Sequence, residues 1–301
     1  MKNKITCLLA GVALFGATAN ADIVLADGLT AYGYIDMNAS DAENAPREAD
    51  FTEYEIGLSF TPAESQWSAV VELSYLTSEA DTTFETAAVT YQYSDALSFT
   101  AGNVLSYQGL ESYDAPNNNF ISYAGQGALY SAGYAEGVSA DYSAGDITLG
   151  AWASAGGSAD FEYYAAYSGI ENLTLSVAIA DNNSAGLEGS ETTNLMAVYE
   201  LGDFTLSYEN VDSTGFTDDL TTTEVNEAQT NVDVDVFAVA YSMGDTTLAV
   251  RSAEGTINGA DYEKMSVAAF HALSDNVAAG VEYSDEDGVD NVISAELLYV
   301  F

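Results

Sequence analysis

The chain has 301 residues, 47 acids against five bases, and a formal net charge of −42. That balance excludes nucleic acid as a partner, since nothing could neutralise the phosphates. Yet 48% of the residues are hydrophobic, with 21 Tyr and 12 Phe, which excludes a disordered chain.

The first segment reads as an export signal. Lys2 and Lys4 precede an apolar run over 5–15, and small residues end in Ala19-Asn20-Ala21. This predicts a signal peptide over 1–21, cleaved before Asp22, with a run too short to span a bilayer as a helix. The single cysteine, Cys7, lies upstream of the cleavage point, so no lipid anchor, disulfide or thiolate metal site is expected. Residues 22–301 then form one domain. Only Arg47, Arg251 and Lys264 remain there to oppose all 47 acids, a balance of −44.

From Gly28 onward the pattern is strand, connection, strand. Sixteen strands are expected, at 28–38, 50–61, 66–76, 84–93, 97–105, 134–143, 147–154, 161–167, 173–180, 194–201, 204–210, 232–243, 246–252, 262–272, 276–283 and 291–301. Fourteen or eighteen strands would also accommodate the pattern. The alternation is plain in the second, where Tyr54, Ile56, Leu58 and Phe60 alternate with Glu53, Glu55, Gly57 and Ser59. In the twelfth, apolar residues change from even to odd positions after Val236, which predicts a bulge.

Short connections follow even-numbered strands; three of them are Gly-Asp, at 145, 202 and 244. Glycine there supplies the positive φ of a type II′ hairpin. The eighth and ninth strands are expected to turn at Ser168-Gly169. Longer polar loops follow odd-numbered strands, including 253–261. This two-sided asymmetry, with strands of about ten residues, predicts an all-β, transmembrane, antiparallel up-and-down barrel.

The last strand places Ile293, Ala295, Leu297, Tyr299 and Phe301 on one face and Glu296 on the other. It resembles the closing strand of Gram-negative outer-membrane barrels, in which a terminal aromatic and alternating apolar residues form the signal read by the barrel-assembly machinery. That resemblance gives the role to Leu297, Tyr299 and Phe301.

A barrel of this size leaves an aqueous channel. Taking each polar strand face as lumen places Asp36, Glu53, Glu55, Glu72, Asp141, Glu162, Glu200, Glu209, Arg251, Glu282 and Glu296 along the pore. Facing lipid, such charges would cost a few kcal/mol each. In water they stay ionised and draw cations in.

The connection after the fifth strand, 106–133, is long enough to need a purpose. It contains Gly109-Leu110-Glu111-Ser112-Tyr113-Asp114-Ala115-Pro116-Asn117-Asn118. Its position resembles the constriction loop of general porins, which folds into the lumen. Its wording, over 102–142, resembles the OmpL-like β-barrel porins. The resemblance implies that Glu111 and Asp114 sit at the narrow point and that Asn117, Asn118 and Asn119 offer hydrogen bonds to passing solutes. It also implies a homotrimer. General porins set a basic cluster opposite the acidic loop, whereas three bases here predict a uniformly negative pore.

Nothing points to catalysis. His271, the only histidine, shares a face with Met265 and Val267, and no acid pair stands apart. No cofactor or metal is expected; 285–290 lacks the calcium-loop spacing. The sequence therefore predicts a cation-preferring outer-membrane channel for small hydrophilic solutes, contacting lipid and lipopolysaccharide. The alternative is a non-conducting barrel acting as adhesin or structural protein, with the long loop as its plug.

Overall fold

The computed structural model describes residues 23–43, 47–76, 81–111, 114–125, 129, 133–156, 160–182, 190–216 and 230–301. The expected signal peptide lies outside the described residues. Seventeen strands are present among them: β1 (Ile23–Ala26), β2 (Leu29–Ala42), β3 (Glu48–Phe60), β4 (Trp67–Leu76), β5 (Asp81–Gln92), β6 (Leu97–Leu105), β7 (Tyr134–Ala144), β8 (Ile147–Ser154), β9 (Phe161–Ile170), β10 (Leu173–Asn182), β11 (Ser190–Leu201), β12 (Phe204–Phe216), β13 (Thr230–Met243), β14 (Thr246–Ile257), β15 (Ala260–Ser274), β16 (Val277–Glu286) and β17 (Val292–Val300). Each strand from β2 to β17 pairs antiparallel with the next. β17 then pairs with β2, from Val292↔Ala42 to Val300↔Tyr34, and closes a sixteen-stranded up-and-down barrel. β1 is an additional strand on β2, paired at Ile23↔Ala31 and Ala26↔Leu29, along the stretch that β17 leaves open.

Strand period sets what faces where. On β14 and β15 the paired Val250 and Val267 face out at 47% and 46% exposure, while the paired Arg251 and Ser266 are buried inside. An outward belt of exposed aliphatic side chains runs round the barrel. It carries aromatic pairs such as Trp67–Tyr91 and Phe204–Tyr241 near the tight turns, Tyr208–Phe237 farther along the same strands, and Tyr54–Tyr75 nearer the other end. Aromatic rings at both rims of an apolar band are the pattern of a barrel in lipid. Gly145, Gly202 and Gly244 adopt φ of 60°, 61° and 60° and make the expected two-residue turns.

Three local expectations are corrected. β9 continues through Ser168-Gly169 to Ile170, and the turn is Glu171-Asn172, with Asn172 at φ 63°. β14 and β15 extend past the expected loop to a two-residue turn at Asn258-Gly259, with φ of 54° and 73°, the Asn-Gly signature of a type I′ hairpin. The bulge expected in β13 is absent. β13 pairs residue for residue with β14 from Val232↔Ile257 to Met243↔Thr246. Its valines 232, 234 and 236 face inward because the long loop covers them: they pack with Val211, Ala253 and Tyr262 against Ala124 and Leu129. Asp233 and Asp235 face outward at that end, where Tyr208 donates to Asp235 at 2.7 Å. Phe237 and Val239 then face out in the apolar belt, 57% and 42% exposed.

Candidate functional site

The described residues of the loop between β6 and β7 lie inside the barrel, held by acceptors and donors on the inner wall. Ser106 Oγ and the Tyr107 N–H donate to Glu162 on β9, at 2.7 and 2.9 Å. The Gly109 N–H donates to Asn194 Oδ1 on β11 at 2.8 Å, and Asn194 donates in turn to Glu209 on β12. The Leu110 N–H also reaches Glu209, at 3.2 Å. On the return path the N–H groups of Ile121 and Ser122 both donate to Glu282 Oε2 on β16. Tyr262 Oη and Lys264 Nζ on β15 donate to the carbonyls of Ala124 and Gly125, at 2.8 and 3.1 Å. A loop without strand partners must satisfy its backbone groups otherwise; here the charged wall does so, and bonds to ionised acceptors are the strong kind.

Arg251 on β14 is the centre of this wall. It is 2% exposed. Its Nη1 donates to Glu111 of the loop. Its Nη2 donates to Ser122 Oγ, the Tyr123 carbonyl and Ser266 Oγ at 3.1, 2.9 and 3.0 Å, with Glu282 at 3.9 Å. The Phe120 ring caps the guanidinium at 4.3 Å. Lys264 pairs with Glu286 on β16 at 3.3 Å.

The expected pore residues thus fall into two groups. Glu162, Glu209, Glu282 and Arg251 face inward but are occupied in holding the loop, as is Glu111. Asp141 also faces inward and accepts from Tyr107 Oη at 2.5 Å; that ring stacks on Tyr164. Asp36, Glu53, Glu55, Glu72 and Glu296 line the other wall, on β2–β4 and β17. Glu53 accepts from Ser74 Oγ at 2.6 Å and Glu72 from Tyr32 Oη at 2.5 Å. Tyr32 lies across Gly57, where a Cβ would come within 2.3 Å of its ring, so this glycine makes room for the bond. Glu200 keeps inward parity but sits exposed beside the turn at Gly202-Asp203. Leu297, Tyr299 and Phe301 lie on the outward face, and the Phe301 and Gly33 backbones exchange two hydrogen bonds of 2.9 Å.

Asp114, ahead of a single 3-10 turn at Ala115–Asn117, points from the loop toward the acidic wall. It accepts from Asn117 Nδ2 at 3.2 Å and from Tyr134 Oη at 3.4 Å. Burial, and then the carboxylates of Glu72 and Glu53, push its carboxyl up to about 6. A cavity of about 260 Å³ lies against the loop; Asn117, Asn118 and Asn119 line it together with Asp36, Glu53 and Glu296.

Three inward charges among the described residues were missed in the sequence: Lys264, its partner Glu286, which shares parity with Glu282, and Glu85. Lys264 shares parity with Ser266, opposite Met265 and Val267, so strand period alone locates it. Glu85 was hidden by an irregularity: pairing of β4 with β5 slips between Val71↔Ala87 and Leu73↔Phe84, and this carries Glu85 to the inner face beside Glu53 and Glu55. Two of the three described bases stand together on one wall, so charge is not uniform round the lumen. His271 faces outward and shares a 2.9 Å hydrogen bond with Thr246.

The barrel with its inward β6–β7 loop has a porin-like fold. The solved structures it resembles include OmpF of Salmonella typhi in complex with daunomycin (TM-score 0.70, 15% identity, 93% of this chain and 100% of that one). In-vitro folded OmpT, an outer-membrane protein of Vibrio cholerae, gives 0.65 at 13% identity, covering 93% and 100%. A substituted porin of Rh. blastica gives 0.64 at 15%, covering 91% and 100%. At these identities the likeness is one of fold. Neither a family model nor a curated protein matches the sequence.

Proposed function

We propose that this protein is an outer-membrane diffusion channel that prefers cations and passes small hydrophilic solutes. The carrying observation is the division of the lumen: one wall is occupied in fastening the loop, and the facing wall carries Asp36, Glu53, Glu55, Glu72, Glu85 and Glu296 with Asp114 opposite. Of the described bases, Arg251 pairs with Glu111 and Lys264 with Glu286 across from that wall, and Arg47 pairs with Asp41 in the exposed connection between β2 and β3, off its lumen face. Solutes passing between loop and wall therefore meet fixed negative charge within a Debye length of about 8 Å, which enriches cations and repels anions. No chemical step is involved; width and wall charge select.

In this reading residues 1–21 direct export, residues 22–301 form the barrel, and the outward Leu297, Tyr299 and Phe301 serve recognition by the assembly machinery. The apolar belt meets outer-membrane lipid and lipopolysaccharide. The trimer form of OmpT of Vibrio cholerae supports a homotrimer here, and the loop sequence supports a relation to OmpL-like porins. Single-channel recording in planar bilayers tests the function. A KCl gradient should give a reversal potential of the sign for K⁺ over Cl⁻; the opposite sign would refute the charge assignment.

A second reading draws on the apolar interior. Val232, Val234 and Val236 lie buried under the loop, and Leu298 and Val300 pack with Tyr34 near Ala115. A loop that sealed the lumen in this way would give a non-conducting structural barrel, and refolded protein that inserts without passing current would establish it.

A further inference from the structure

The acidic wall contains one cluster that diffusion alone does not use. Single carboxylate oxygens of Glu53, Glu55 and Glu85 all lie within 4.8 Å of one another. Glu53 and Glu55 are each 7% exposed, and Glu85 Oε2 is buried without a hydrogen-bond partner. Three carboxyl groups at this spacing in a poorly hydrated place cannot all carry their charge without a counter-ion. No described base comes near enough to offset them, because each is paired elsewhere.

A second observation comes from β2. Tyr34 is 3% exposed, and its buried hydroxyl interacts with the Glu53 carboxylate but has no other hydrogen-bond partner. That hydroxyl stands in the field of Glu53, Asp114, Glu55 and Glu85. A buried hydroxyl normally has a partner; this one is directed at the carboxylate cluster, with oxygen lone pairs to offer.

We propose that Glu53, Glu55 and Glu85 bind one Ca²⁺ on the inner wall, with the Tyr34 hydroxyl and Asp114 completing its surroundings. Ca²⁺ takes six to eight oxygen ligands at about 2.3–2.6 Å, so two ligands across the ion stand up to about 5 Å apart and the cluster fits as built. The ion supplies the positive charge this wall lacks and tolerates irregular geometry. Bound there, it lowers the wall charge beside the loop and reduces the preference for K⁺ over Cl⁻. The site shares its wall with the channel reading, but its occupancy is measured without current.

The test uses mature protein refolded in detergent, stripped with EDTA and titrated calorimetrically with CaCl₂. One equivalent per chain is expected at or below about 1 mM, the weak end of calcium sites. Glu85→Gln and Glu55→Gln should each weaken binding by about tenfold or more, while Asp287→Asn in the outer acidic turn should not. Heat-dependent gel mobility verifies the barrel, and if one glutamine variant does not refold the other decides. No binding by the wild type, or binding unchanged in a folded glutamine variant, overturns the proposal. In bilayers, about 1 mM Ca²⁺ should lower the K⁺/Cl⁻ permeability ratio of the wild type but not of Glu85→Gln. A barrel that binds calcium yet carries no current would defeat the channel reading and leave the site standing.

Discussion

Arg251→Ala probes how the loop is held. The guanidinium forms an ion pair with Glu111, and that pair is nearly withdrawn from water, at 3% and 13% side-chain exposure. Deleting one member of such a pair leaves the other charge buried alone, which costs about 3–5 kcal/mol. Three further hydrogen bonds and the Phe120 contact go with it. Because each 1.4 kcal/mol is about a tenfold change, the equilibrium favouring the fastened loop falls by two to three and a half decades. Single-channel records should show larger conductance and frequent steps between levels, and the urea midpoint of folded barrels should drop. Glu111→Gln added to Arg251→Ala removes the stranded carboxylate and should recover part of the loss, a coupling that a double-mutant cycle measures. Unchanged conductance, noise and urea midpoint in folded Arg251→Ala would refute the reasoning.

Wall charge gives a contrast of positions. Glu72→Gln together with Asp114→Asn should move the K⁺/Cl⁻ permeability ratio toward unity, whereas Glu111→Gln should move it less, since Arg251 already offsets that carboxylate; reversal potentials decide between them. The preference should also depend on pH. The folded-state value for Asp114 is raised to about 6, so its charge is present above that pH and lost as pH falls through it, and a ratio constant between pH 7.5 and 5 would count against its position at the narrow point. The outward face is tested by Val267→Arg, which should cost about 2–4 kcal/mol if the residue lies near mid-bilayer, read as refolding yield into vesicles. Trp67 faces outward and Trp152 inward, so brominated lipid should quench the fluorescence of a Trp152→Phe variant and spare that of Trp67→Phe.

Strands and hairpins were legible because a sheet exposed to two solvents prints a period of two along the chain. Tight turns were legible because Gly145, Gly202 and Gly244 carry a backbone requirement in their identity. The fastening of the loop was not. Glu162, Glu209 and Glu282 have the residue type and parity of water-lined carboxylates, and only the path of residues 106–111 and 120–125 shows that amide groups occupy them. The same path explains the misread bulge in β13, where inward valines mimic a change of face. Glu85 was invisible because a one-residue slip against β4 breaks the count on which parity depends.

The ring is completed at β2 and β17, the one junction with no turn of chain across it. Every other neighbouring pair is tethered by its connection, so it can zip from a contact made early. This one must find its register over a separation of 250 residues or more in sequence, and distant pairing is slow. β1, folded back on the lower part of β2, shields part of that waiting edge from foreign strands, and the paired backbones of Gly33 and Phe301 act as its final latch.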